Sequence, residues 1–169
     1  VKMAVIAKVM YRFNVIPIKT LADFFVEIGK IILNFKWKCK KNVLAILEKY
    51  KKFCVVGLSP SQEKPSFQVP LKFKNDGWDI VGVYPKEHNQ GGFKIFTELK
   101  DVPLEYRKMI DVFLAPKRIP ELVDQVIALG GTEVLWLQLG ISHPEAEAKA
   151  EKAGIKVISD RCIAIVIDN

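Results

Sequence analysis

From residue 53 onward, unbroken apolar runs alternate with amphipathic segments. FCVVGL (53–58) is β-branched and apolar throughout, the pattern of a strand covered on both faces. WDIVGVYP (78–85), MIDVFLAP (109–116), TEVLWLQLG (132–140) and IKVIS (155–159) repeat that pattern, and CIAIVI near the end offers an edge strand. Helical segments lie between them. PSFQVPLKFKNDG starts on Pro65 and stops at Gly77, with Pro70 expected to kink or shorten it. A helix over 119–129 stops at Gly130-Gly131, and HPEAEAKAEKAG is ended by Gly154. Upstream, KNVLAILEKYKK (41–52) predicts a helix capped by Asn42, with Val43, Leu44, Ile46 and Leu47 turned toward the sheet. The polar loop KEHNQGGFK (86–94) reads as flexible and as a candidate lid.

Strand and helix in strict alternation predict an α/β fold. It is a three-layer parallel sheet with helices on both faces, built through right-handed crossovers. Ligands of such sheets bind outside the carboxyl ends of the strands, near the switch in strand order. The candidate site residues therefore follow the strands: Ser59 to Ser66, Pro85 and Lys86, Ala115 and Pro116, Gln138 to Gly140, and Arg161 and Cys162. The first turn carries the clearest chemistry. Gly57 permits close approach, Ser59 and Ser61 add hydroxyls, and Lys64 adds a charge beside a helix N-terminus, a combination suited to phosphate. The G-x-G-x-x-G fingerprint and the G-x-x-x-x-G-K-[ST] loop are both absent.

Residues 1–41 stand apart as a basic, helical N-terminal extension, with helices expected at 2–13 and 20–36 and a second domain at 42–169. Charge marks the same division. Of 26 Lys+Arg and 19 Asp+Glu in the chain, residues 1–52 hold 12 and 3, so the remainder is close to neutral. Nucleic-acid binding through the basic N-terminus, with Tyr11, Phe13 and Trp37 stacking on bases, is the third-ranked reading. Cys39, Cys54 and Cys162 show no metal-ligand spacing, and a reduced, cytoplasmic chain is expected. Every apolar run is interrupted by charge well short of a membrane span. Trp136 reads as core, Gln138 as a loop-orienting residue, and His143 as a helix-start residue. Cys162 beside Arg161 is either a partly buried structural cysteine or a thiol capable of exchange. No nucleophile–base pairing is evident, so a binding protein is favoured over an enzyme.

V-V-G-L-S (55–59), K-P-S (64–66), V-Y-P-K (83–86), D-V-F (111–113), W-L-Q-L-G-I (136–141) and D-R-C (160–162) occur together in order. Over about residues 42–169 they resemble the small coenzyme A-binding domain family of bacteria and archaea. That family is similar to the N-terminal domain of the succinyl-CoA synthetase alpha subunit. The resemblance implies a Rossmann-like sheet and a site for the ADP moiety of coenzyme A or an acyl-CoA, a small nucleotide thioester. Gly57, Ser59 and Pro60 match the family's first phosphate loop. Lys64 stands where arginine is usual, Tyr84 replaces a common asparagine, and Leu114 replaces a common arginine after D-V-F. Together with the strand-end positions, the expected contacts are Gly57, Ser59, Pro60, Ser61, Lys64, Ser66, Pro85, Lys86, Ala115, Pro116, Gln138, Gly140, Arg161 and Cys162, with no metal ligand. An NAD(P)-dependent oxidoreductase or an acyl-CoA ligase partner subunit is the alternative. A missing second glycine after Gly57, and Tyr84-Pro85 where an acid would bind the ribose, argue against NAD.

The pieces V-K-M-A, K-V-x-Y-R-F-N, I-P-I-K, F-F and F-x-W in the first forty residues are similar to the C-terminal stretch of LINE-type retroelement reverse transcriptase. That resemblance implies a fused or exonised segment without polymerase function.

Overall fold

Apolar side chains on both faces of the central strands require helices on both sides, and the fold supplies them. The computed structural model describes residues 43–168. The expectations for residues 1–41, the Asn42 cap and Cys39 lie outside the described residues. Helix α1 occupies 43–49, and six strands follow: β1 (Lys52–Val56), β2 (Asp79–Val83), β3 (Lys94–Phe96), β4 (Met109–Val112), β5 (Val134–Leu137) and β6 (Lys156–Ile158). They form one all-parallel sheet in the order β3-β2-β1-β4-β5-β6. The order reverses between β1 and β4, so the crevice at their carboxyl ends is the topological switch point of a Rossmann-like sheet.

The period-2 alternation of the strands divides the core in two. Cys54, Val56, Ile110, Val112, Leu135 and Leu137 face a layer made by α4 (Ile119–Leu129) and α5 (Pro144–Lys152). Phe53, Val55, Met109, Val134 and Trp136 face the other layer, made by α1, α2 (Pro65–Asn75) and α6 (Ile163–Asp168). A short helix, α3 (Leu104–Arg107), precedes β4. Phe53, Phe73 and Trp78 meet edge to face on the α2 side, at centroid separations of 5.0–6.0 Å. Val43, Ile46 and Leu47 of α1 are buried against this layer, and Leu44 is half-buried.

Three expectations need correction. CIAIVI is not an edge strand: from Ile163 the chain is helical, because Ile163, Ala164 and Val166 pack onto the α2-side core at helical spacing. The edge strand on the opposite side is β3, which takes the last residue of the supposed lid loop. That loop is tied down by Lys74 Nζ, which donates to the carbonyls of Gly91 and Gly92. Pro70 does not shorten α2, which runs from Pro65 to Asn75 with Pro70 inside it. It lies on the buried face in line with Phe67 and Phe73, so its packing offsets the one backbone hydrogen bond it cannot make. Observed strands are also shorter than the apolar runs, since β4 ends at Val112 and β5 at Leu137.

Candidate functional site

The β1 turn is stitched to both neighbours at the switch point. Gly57 N donates to Val83 O at 2.9 Å, and Phe113 N donates to Val56 O at 2.9 Å. Gly57 has φ +92°, and a Cβ there would stand 2.7 Å from the Phe113 carbonyl oxygen. No other residue fits without moving β4. Beyond this turn, Ser59 Oγ accepts from Ser61 N at 3.2 Å, which folds the chain back toward α2.

A cavity of about 780 Å³ opens at this point, within the size range of small-ligand sites. Gly57, Ser59, Lys64 and Ser66 line it from the β1 turn and the start of α2, and Val83, Tyr84 and Pro85 from the end of β2. The segment after β3 contributes Thr97, Glu98, Leu99 and Lys100. Phe113 and Leu114 follow from β4, and a row along α4 runs from Arg118 through Glu121, Leu122 and Gln125 to Leu129. The walls are thus apolar between polar rims, and cations stand at two helix starts. Lys64 is the N-cap residue of α2 and Arg118 that of α4, and neither side chain caps its helix. Ser, Thr, Asp or Asn at such positions typically stabilises by about 1 kcal/mol over residues that cannot cap.

Five of the fourteen sequence-predicted contacts line this cavity: Gly57, Ser59, Lys64, Ser66 and Pro85. Pro60 and Ser61 belong to the same turn but do not line the cavity. Lys86, Ala115 and Pro116 are exposed residues just past it. The others gather elsewhere, at the ends of β5 and β6. Gln138 is buried, its Nε2 donating to Asp111 Oδ1 at 2.8 Å and its Oε1 accepting from Ile163 N at 3.3 Å. Trp136 Nε1 donates to Arg161 O at 2.7 Å, and Gly140 N donates to Asp160 Oδ1 at 2.8 Å. Cys162 is half-buried, with its carbonyl accepting from Val166 N at 3.3 Å. Gln138, Gly140, Arg161 and Cys162 therefore dock the segment leading into α6. Asp111 shares that network, and burial pushes its carboxyl up to about 7 against the opposing effect of the Gln138 hydrogen bond. Burial, and then the nearby Asp111 charge, push the Cys54 thiol well above its ordinary range.

Sequence reasoning missed Thr97 to Lys100, because the strand that delivers them is three residues long. It also missed Arg118, Glu121 and Gln125. Their spacing along a helix with a strongly apolar opposite face was the available signal. His88 was likewise not singled out. Its Nε2 lies 3.0 Å from Leu58 O, and because a carbonyl only accepts, that nitrogen carries the proton. The ring also meets Tyr84 edge to face at 5.6 Å, joining the β2 loop to the β1 turn.

Comparison with known proteins agrees with this fold. The protein YneT of Bacillus subtilis is 27% identical over 128 residues, spanning 75% of this chain and 92% of its own. A solved structure from Thermus thermophilus superposes with a TM-score of 0.69 at 28% identity, covering 76% of this chain and 96% of that one. One from Pyrococcus horikoshii gives a TM-score of 0.70 at 31% identity, covering 76% and 89% respectively. The family described as the CoA binding domain matches residues 51–168, which include all six strands and every residue lining the cavity. The chain belongs to the CoA binding domain family.

Proposed function

We propose that this chain holds coenzyme A or an acyl-CoA by its ADP moiety in the cavity at the β1–β4 switch point, as a binding protein. The observation that carries the reading is the coincidence of that cavity with the family match. The β1 turn, with Gly57 at positive φ and Ser59 buried beneath it, brings backbone close to a diphosphate at the start of α2. Lys64 adds a point charge at the same place. The apolar surfaces of Val56, Leu114 and Leu122 offer a purine a place to stack out of water. Pro85 follows β2 where NAD-binding sheets carry a ribose-binding acid, which favours coenzyme A over NAD. The test is native mass spectrometry of the purified protein together with calorimetric titration. A retained nucleotide thioester, or coenzyme A binding well above NAD binding, supports the reading. Equal or tighter NAD binding overturns it in favour of the oxidoreductase alternative.

A further inference from the structure

Three cations line the cavity: Lys64, Lys100 and Arg118. Lys100 is occupied by Glu98 at 2.5 Å, whereas Lys64 and Arg118 have no ion-pair partner among the described residues. Two cations without an ion-pair partner therefore face one cavity from different walls, Lys64 at the start of α2 and Arg118 at the start of α4, with the likewise unpaired Glu121 in the first turn of α4. Among the described residues, no hydrogen bond or ion pair holds the Arg118 side chain. It is exposed, its side chain caps no helix N–H, and it stands at the positive end of α4, where a cation is unfavourable.

Coenzyme A carries its negative charge in two separate places, a bridging diphosphate and a terminal phosphate on the ribose. Lys64 sits beside the β1 turn, the natural seat of the diphosphate, and this leaves Arg118 facing the second group. A planar guanidinium fork suits a terminal phosphate, with its three oxygens, better than an ammonium does. We infer that Arg118 recognises the ribose phosphate and makes the cavity selective for coenzyme A over its 3′-dephospho form. This rests on the proposed coenzyme A reading.

The experiment is calorimetric titration of the full chain with coenzyme A and with 3′-dephospho-coenzyme A, at fixed salt. The parent, Arg118→Ala and Arg118→Lys are compared, and equal melting temperatures establish intact folding. The parent is expected to prefer coenzyme A by about tenfold or more, the scale of a charge-assisted phosphate contact. Arg118→Ala should lose that preference while binding the dephospho form as the parent does, and Arg118→Lys should keep part of it. Equal affinity of the parent for both ligands overturns the inference. So does equal weakening of both in Arg118→Ala, the signature of a guanidinium stacked on the base. If the parent binds neither ligand, the coenzyme A reading itself falls.

Discussion

The buried carboxyl of Asp111 makes the stability of the domain depend on pH in a direction opposite to that of an ordinary salt-bridged acid. Asp111 lies on β4 between Val55 of β1 and Trp136 of β5, is 1% exposed, and has the Gln138 amide as its hydrogen-bonding side chain. Burial pushes its carboxyl up to about 7 in the native state, against about 3.9 for an unfolded aspartate. Between those values the native state keeps a proton that the unfolded state has lost, so stability falls as pH rises. The slope is about 1.4 kcal/mol per pH unit and the whole effect about 4 kcal/mol. Below pH 4 both states are protonated and the penalty is absent; above 7 both are ionised and it is fully present. That is a large part of the roughly 5–15 kcal/mol stability of an ordinary domain. Asp111→Asn keeps an acceptor for Gln138 and removes the titration. Urea unfolding at pH 4.5 and 7.5 and constant ionic strength should show the variant gaining about 3 kcal/mol on the parent between the two conditions, whatever the offset at acid pH. Parallel stability curves for the two chains over this range would refute the reasoning.

Two further outcomes test the site. Lys64→Ala should weaken coenzyme A binding about tenfold, while Lys86→Ala, exposed and outside the lining, should weaken it less, as calorimetric titration can show; the reverse order moves the phosphate site toward the β2 loop. Gly57→Ala must place a Cβ 2.7 Å from the Phe113 carbonyl at φ +92°, so it should lower the melting temperature by several degrees for a cost of about 1–2 kcal/mol, and a wild-type melting curve would contradict the turn geometry.

The sheet was legible because its central strands carry apolar residues on both faces. Phe53 to Val56 and Val134 to Leu137 can only be buried on two sides, and that fixes helical layers above and below. The edge was not legible. β3 is three residues with one exposed and two half-buried positions, too short for any periodicity to register. The α6 segment misled because Ile and Val favour strands locally. What makes it a helix is tertiary: Trp136 and Gln138 hold the preceding turn, and the chain then lies on the α2-side core. The candidate site divided in the same way. Residues after β1 and β2 follow the switch-point rule onto the cavity. Those after β5 and β6 stand farther along the sheet, where their polar groups are consumed in docking α6. No sequence rule separates a strand-end residue that faces a ligand from one that secures the next helix.

Helix starts make that separation in the folded chain. α5, whose first turn lines no part of the cavity, begins by the ordinary rules. His143 Nδ1 accepts from Ala146 N, Pro144 occupies the first turn, and Glu147 reaches back to accept from His143 N. α2 and α4 both begin at the cavity, and both put a cation at the N-cap with no side-chain cap. α2 has no acid in its first turn, and the one acid in that of α4, Glu121, itself lines the cavity. A sequence agrees with its fold at every level except where function demands otherwise. The cap also lapses at α3, where Pro103 caps nothing, but of α2 to α5 the two that begin at the cavity are the ones with Lys or Arg at the N-cap. Several first-turn N–H groups at these starts are already bonded within the chain, Phe67 and Gln68 to Lys64 O and Ile119 to Pro116 O, so what each start leaves over is its cation. On the proposed reading a bound phosphate would offset both cations, which favours this crevice over the docked segment at the far end of the sheet.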